Sequence, residues 1–210
     1  MVVAAGHTVA ATAQGDEMQA IEAILGRRTV PQVKMAEPGP DEAQLRLMLE
    51  AGCAAPDHGR VRPWRFLLVR GEARLRLGEL FAEAALAANP AASAGDIDKQ
   101  RTAPLRAPLI IVVAAKIDRR PGRPPEIEQI AASAAAAQNI LLAAHAMGYA
   151  GKWSTGKNAY MDPIKAGLGL APEDHVIGFL YIGSLGSPQE ESPRPDLADI
   201  VSEWRSAAPA

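Results

Sequence analysis

The sequence predicts an α+β fold, and three observations carry the prediction. WRFLLV at 64–69, LIIVVA at 109–114 and VIGFLYI at 176–182 are apolar runs of strand length, rich in branched and aromatic residues, as buried strands require. Helical periodicities and long proline-marked loops separate them, which argues for a mixed architecture over strict strand-helix-strand repetition. No segment repeats another.

Taken in order, Met18, Ile21, Ile24 and Leu25 recur at helical spacing over 17–28, and basic residues gather at the C-terminal end of that helix, where its dipole favours them. Pro31, Pro38 and Pro40 mark an extended link. Asp41 then opens a second helix with Leu45, Met48, Leu49 and Gly52 on one face, which stops before Pro56. A third helix over 72–88 follows the first strand. Prolines among polar residues make 89–107 irregular, up to the second strand. A proline-rich loop at 118–125 precedes the longest helix, about 126–147, which is apolar nearly all round. Such a helix should be enclosed. Its alanines permit close helix-to-helix approach, so packing against its counterpart in a dimer is expected, with a central helix in a monomeric core as the alternative. Residues 149–155 read as a short strand or extended loop and 161–169 as a short helix. In the polar, proline-rich tail, Ile200, Val201 and Trp204 suggest an arm that docks on its own body or on a partner subunit.

The 210 residues, 48% of them apolar, suffice for one sizeable core. A single domain over 17–210 is expected, after a flexible leader at 1–16. With 22 basic against 24 acidic residues, no basic surplus draws nucleic acid or anionic lipid. The lone Cys53 excludes an intrachain disulfide and fits a reducing, cytoplasmic setting. Residues 1–14 lack a basic n-region, and no uninterrupted apolar window is long enough to span a bilayer.

Three groups of residues bear on chemistry. Arg27, Arg28 and Thr29 sit where the first helix gives way to an extended segment. Two guanidiniums and a hydroxyl can grip a phosphate, although a double arginine at a helix end also serves simply to complement the dipole. Pro56, Asp57, His58 and Gly59 form a turn that presents an imidazole. That histidine could donate to a cofactor or substrate oxygen, or have no role. A nucleophilic pairing of Cys53 with His58 lacks a third, orienting group. The stretch from Gly151 to Asn158, GKWSTGKN, approaches the phosphate-loop pattern but has a long helix before it and Asn158 where a magnesium-binding hydroxyl belongs. Trp153, Ser154 and Thr155 could instead lie beside a planar heterocycle and bond its polar edge. No G-x-G-x-x-G follows a strand, and no His and carboxylate set has metal-ligand spacing.

In register, ILGRRT at 24–29, Ala51 and Gly52 through Ala55, Pro56, Asp57 and His58 to Pro63 and Trp64, RAPLII at 106–111, residues 148–156 and GFLYIG at 178–183 resemble the nitroreductase family, in its small single-domain bacterial FMN-dependent NAD(P)H nitroreductase branch. Order and spacing agree from about residue 18 onwards. The resemblance implies a central mixed or antiparallel sheet flanked by helices, in an interlocked homodimer whose tails wrap the opposite subunit. It implies FMN in clefts made by both subunits, with NADH or NADPH as electron donor. Carried over by position, Arg27, Arg28 and Thr29 would meet the phosphate and ring edge, Trp153, Ser154 and Thr155 would form a second flavin-contacting segment, and His58 would come from the partner. Close relatives carry arginine at the positions of Ala54 and Ser154, so two cationic contacts are absent here.

A family member of this kind would move hydride from NAD(P)H through the flavin, by a ping-pong scheme, to a small-molecule acceptor such as a nitroaromatic or quinone. It needs no covalent catalytic residue. The rival readings are a flavin-binding or redox-sensing module without efficient turnover, and a nucleotide-binding protein using 151–158 as a phosphate loop.

Overall fold

The computed structural model describes residues 20–187 and 193–204; the leader expected at 1–16 lies outside them. The three apolar runs form the centre of an antiparallel sheet. Strand β2 (Trp64–Arg70) pairs with β3 (Leu109–Ala115), and β3 pairs with β5 (His175–Leu185). The far edge of β5 carries two short strands end to end: β4 (Ala150–Ser154), from Gly183 back to Phe179, and β1 (Met35–Ala36), at Ser184 and Leu185. All four pairings are antiparallel. Strand β1 was hidden in sequence because two residues carry no readable alternation.

Period-two alternation sends side chains of β3 into two different cores. Ile110 and Val112 join Leu77, Phe81 and Ile164 on one face, under α3 (Ala73–Ala88) and α6 (Asp162–Gly167). Leu109, Ile111 and Val113 meet Leu45, Met48, Ile140 and Leu141 on the other, under α2 (Glu42–Cys53) and α5 (Glu126–Ala146). The strands are therefore continuous hydrophobic runs, and every residue of β3 is buried. The architecture is α+β, as expected.

Three expectations need correction. The first helix spans Ala20–Gly26 among the described residues and ends two residues before 28. The stretch 89–107 is not irregular: it holds α4 (Ala94–Thr102). That helix is polar, so no hydrophobic period announces it. Its signal is a cap, the Ser93 hydroxyl accepting from Asp96 N at 3.1 Å. It packs so closely on α3 that a Cβ at Gly78 would lie 2.0 Å from Arg101 O.

Third, α5 is not enclosed all round within one chain. Ala136, Ala137, Ile140 and Ala144 are fully buried, but Ile127 is 70% exposed and Ala131 and Ala146 face outward. A helix lying on a sheet gives one face to it, and α2 covers only part of the rest. Among the described residues no helix is long and apolar enough to cross a membrane.

Candidate functional site

Helix α1 (Ala20–Gly26) stops where α5 ends. Gly26 permits this, because a Cβ there would stand 3.2 Å from His145 Nε2 in the last turn of α5. The chain then delivers Arg27 and Arg28, both half-buried, beside that histidine. Arg28 Nη1 donates to the carbonyls of Leu25 and, at 3.1 Å, of Arg27. Those are the orphan carbonyls of a helix end, which guanidiniums commonly satisfy. Arg28 Nε and His145 Nε2, however, are buried with no hydrogen-bond partner. Such atoms cost free energy unless something bonds them. Burial first, and then the Arg27 and Arg28 charges, lower the His145 pKa below its ordinary value.

From Arg28 the chain runs onto the free edge of β4. Thr29 bridges Gly151 in parallel fashion, and Val30 N donates to Gly151 O at 3.1 Å. The backbone of Thr29 is thus fixed beside the strand that carries Ser154, three residues and about 10 Å further along. Sequence motifs 120 residues apart are brought to one edge in this way. Ser154 and Thr155 end that edge, half-buried.

Trp153 points the other way. Its Nε1 donates to Ile177 O at 2.9 Å, and the ring lies so tightly on Gly178 that a Cβ there would be 2.2 Å from Nε1. Its indole N–H is therefore spent on holding β4 to β5. Lys152, on the opposite face of the strand, donates to Gln32 Oε1 at 2.6 Å.

The same geometry disposes of a phosphate loop over 151–158. Gly151 is inside a strand, against Leu141, and a turn with a single 3-10 segment (Asn158–Tyr160) follows in place of a helix. Neither a backbone cradle nor a helix N-terminus is available to an anion there.

His58 lies elsewhere. Its Nδ1 is 2.5 Å from Glu128 Oε2, in the first turn of α5, and its side chain is 71% exposed. The loop is held by Asp57 Oδ2, which accepts from Arg62 N at 2.6 Å, and both Arg60 and Arg62 adopt positive φ. Non-glycine residues in that region store strain of about 1 kcal/mol or more each, as sites and clamps often do. His58 is paired with Glu128, and Cys53 stands exposed at the end of α2, so no Cys–His couple forms.

The structure thus sets Arg27, Arg28 and Thr29 by one end of the β4 edge and Ser154 and Thr155 at its other end, about 10 Å along it, with His58 elsewhere. Glu128 and His145 stand near opposite ends of α5, 17 residues and about 25 Å apart along its axis. Within one chain His58 and Arg28 therefore stand by opposite ends of α5.

Sequence reasoning missed two residues of this site. His145 was legible only as a polar break in an apolar helix. Arg194, in the proline-rich tail, donates from Nη2 to Arg27 O at 2.7 Å and Leu25 O at 3.3 Å. No local pattern marks that contact. Among the described residues no group of three or more His, Cys, Asp or Glu converges as metal ligands do.

The Nitroreductase family model matches residues 24–184. YdjA of Escherichia coli (strain K12), whose name assigns it to the NAD(P)H nitroreductases, is 37% identical over 167 residues, 80% of this chain and 88% of that protein. A Haemophilus influenzae protein assigned by name to the same group is 29% identical over 170 residues, covering 80% and 91%. Among solved structures, a nitroreductase-like family protein from Bacillus cereus superposes with a TM-score of 0.76 at 24% identity, covering 90% of this chain and 98% of that one. A nitroreductase-assigned protein from Desulfovibrio desulfuricans, solved in complex with FMN, superposes with a TM-score of 0.66 at 28% identity, covering 89% and 96%.

Proposed function

Because the chain belongs to the nitroreductase family, we propose that it is an FMN-dependent oxidoreductase that takes electrons from NADH or NADPH and passes them, by a ping-pong scheme, to flat electrophilic acceptors such as nitroaromatics and quinones. The observation that carries the cofactor is the end of α1, where two half-buried guanidiniums gather and Arg28 Nε and His145 Nε2 have no hydrogen-bond partner. The fit is chemical: donors outnumber acceptors there, as a phosphate requires.

When bound, FMN supplies a two-electron carrier that takes a hydride from the donor and returns it, with a proton, to the acceptor. The chain's residues position it. Arg27 and Arg28 hold the phosphate end and supply positive charge near it. Thr29 offers a hydroxyl beside the β4 edge, and Ser154 and Thr155 offer theirs at the far end of that edge. Trp153 acts by packing, fixing β4 on β5 through Ile177. No side chain need bond covalently to substrate.

His58 pairs with Glu128 near the start of α5 and the arginines stand beside His145 near its end, about 25 Å along the axis, so in this reading His58 reaches the flavin from a second subunit. An interlocked homodimer over 17–210 is the reading that accommodates this. The surface supports it. An open groove of about 400 Å³ runs between α1, α2 and α5, lined by Ile24, Ala54 and Leu142 among others, and Ile21 and Leu25 are exposed beside it. In the C-terminal segment Ile200, Val201 and Trp204 are 64 to 89% exposed, apolar groups that a partner would cover as a dimer-wrapping arm.

The test is an anaerobic absorbance titration of the purified protein with FMN, then with NADH or NADPH. Bound flavin bands that bleach on adding the nucleotide, with steady consumption once a quinone is present, are expected. Flavin uptake without steady consumption would leave a flavin-binding or redox-sensing module, a reading that the absence of arginine at Ala54 and Ser154 favours. No uptake would remove both.

A further inference from the structure

A second group of cations stands where β2 begins and β3 ends. Lys116 N donates to Pro63 O at 2.8 Å, so the residue after β3 is pinned beside the loop that enters β2. Arg62, in that loop, has positive φ, and its amide donates to Asp57 Oδ2 at 2.6 Å. Arg65 turns back over it, with Nη1 donating to Arg62 O at 3.0 Å and to Trp64 O at 2.7 Å. Together with Val61, Asp118 and Glu173, these three side chains line an open cavity of about 570 Å³.

The two sides of this cavity treat charge differently. On the α5 side it is spent within the chain: Asp118 takes Arg120 and Arg123, and Arg119 takes Glu126. Glu173, the remaining acid of the cavity, acts on Arg119. The buried Asp174 fixes the wall between, accepting from Ile117 N and Ala171 N, both at 3.1 Å. On the strand side, Arg62, Arg65 and Lys116 form no ion pair among the described residues. Two guanidiniums and an ammonium without a carboxylate suit a dianion: each guanidinium can grip oxygens in a fork, and the lysine adds a point charge. The backbone beneath Arg62 and Lys116 is anchored by hydrogen bonds of its own, so binding need order only side chains.

Resting on the reading of the chain as an NAD(P)H-dependent flavoenzyme, we propose that this cavity binds a phosphomonoester dianion, the 2′-phosphate of NADPH, and that Arg62, Arg65 and Lys116 set the preference for that donor over NADH. The cavity takes in Asp118 and Arg119, just ahead of α5, whereas the arginines assigned to the flavin phosphate stand beside the end of that helix, so the two anions do not compete. Arg62 lies four residues beyond His58, at most about 14 Å along the chain, on the loop that the proposed dimer brings to the flavin. A dinucleotide whose nicotinamide lies over that flavin therefore has the cavity within reach of its adenosine end. NADH carries a hydroxyl where NADPH carries the phosphate, and gains nothing from the three charges. Arginine beside the ribose is a recurrent means of accommodating that phosphate.

The experiment compares the full chain as wild type, Arg62→Gln, Lys116→Gln and the double variant, with two readouts. The first is calorimetric binding of adenosine 2′-monophosphate, adenosine and inorganic phosphate, which needs no flavin. The wild type should bind adenosine 2′-monophosphate more tightly than the other two, and each single substitution should weaken it roughly tenfold, about the value of one charge-assisted contact. The second is kcat/KM for NADPH relative to NADH, with a quinone acceptor and FMN-loaded protein. The ratio should favour NADPH in the wild type and fall roughly tenfold in each single variant, through KM and not kcat. Equal binding of adenosine 2′-monophosphate by the wild type and the double variant overturns the proposal. So does a wild type without preference for NADPH; inorganic phosphate that binds there all the same would mark a site for free phosphate. Parallel losses with NADPH and NADH overturn it too, since they mean a structural role. A wild type that takes up no flavin, in a titration followed by quenching of flavin fluorescence, removes the reading beneath the proposal and the donor assignment with it, whereas failure of the calorimetric arm alone leaves the flavin reading standing.

Discussion

The two ends of α5 both gather charged groups and treat them in opposite ways. At the N-terminal end each charge meets its complement: His58 Nδ1 lies 2.5 Å from Glu128, Glu126 accepts from Arg119 at 2.6 Å and lies 2.6 Å from His175, and Asp118 holds Arg120 and Arg123. Hydrogen bonds from Arg119 and then His175 draw the Glu126 pKa down, and Arg120 does the same for Asp118. At the C-terminal end His145, Arg27, Arg28 and Arg194 gather with carbonyls but no carboxylate among the described residues. Both arrangements satisfy the helix dipole, acids at the start and cations at the end. Only the first is electrostatically complete without a ligand, and the contrast supports the proposal that one belongs at the second.

The strongest way to break the comparison is Arg28→Ala. If the C-terminal end is the phosphate site, losing this guanidinium and its contacts should lower FMN affinity roughly a hundredfold, about two charge-assisted bonds, in the same fluorescence titration. An unchanged affinity would mean that the cluster is a capping device. Next in size is Gly178→Ala. Its Cβ would collide with Trp153 at 2.2 Å, so β4 must shift; a loss of about 2 kcal/mol in urea unfolding is expected, with weaker FMN binding as a consequence. Full stability in that variant would mean that the indole is not what holds the β4 edge.

The pH response should separate the two ends. A folded-state pKa lowered from the ordinary value near 6.5 means that His145 binds a proton more weakly folded than unfolded. Its stabilising contribution is therefore complete above about pH 6.5 and is lost as pH falls below it. Glu126, also lowered, keeps its contribution until pH falls into the carboxylate range near 4.5 and below. The flavin-free protein should thus lose stability first as pH falls below about 6.5. His145→Asn should flatten that step, and saturating FMN should shrink it; a step unaltered by the substitution would assign it to another group. The smallest effect belongs to the N-terminal end. Glu128→Gln breaks an exposed pair, 71% and 44% accessible, so stability should change by about 0.5 kcal/mol or less in chemical denaturation.

Much of this molecule was legible in sequence, and for identifiable reasons. The runs at 64–69, 109–114 and 176–182 became strands because buried strands need apolar side chains on both faces. The helices at 72–88 and 126–147 follow from period 3.6 or from sheer alanine content. Helix α4 was lost because it is polar and betrays itself only through the Ser93 cap. The Arg27, Arg28 and Thr29 group and the Ser154 and Thr155 group were recognisable as motifs. Their meeting along β4 was not, since it depends on which edge of β5 the strand joins.

By itself, then, the sequence determined the element types, the burial pattern of the strands and the residue types able to grip a phosphate, because each of these is written in spacings of a few residues. Only the tertiary structure decided that His145 ends its helix beside Gly26, that His58 stands about 25 Å away at the other end, and that Arg194 returns across 167 residues of chain to Arg27. Contacts of that reach depend on how the sheet and its helices pack as a whole, and no local period records them.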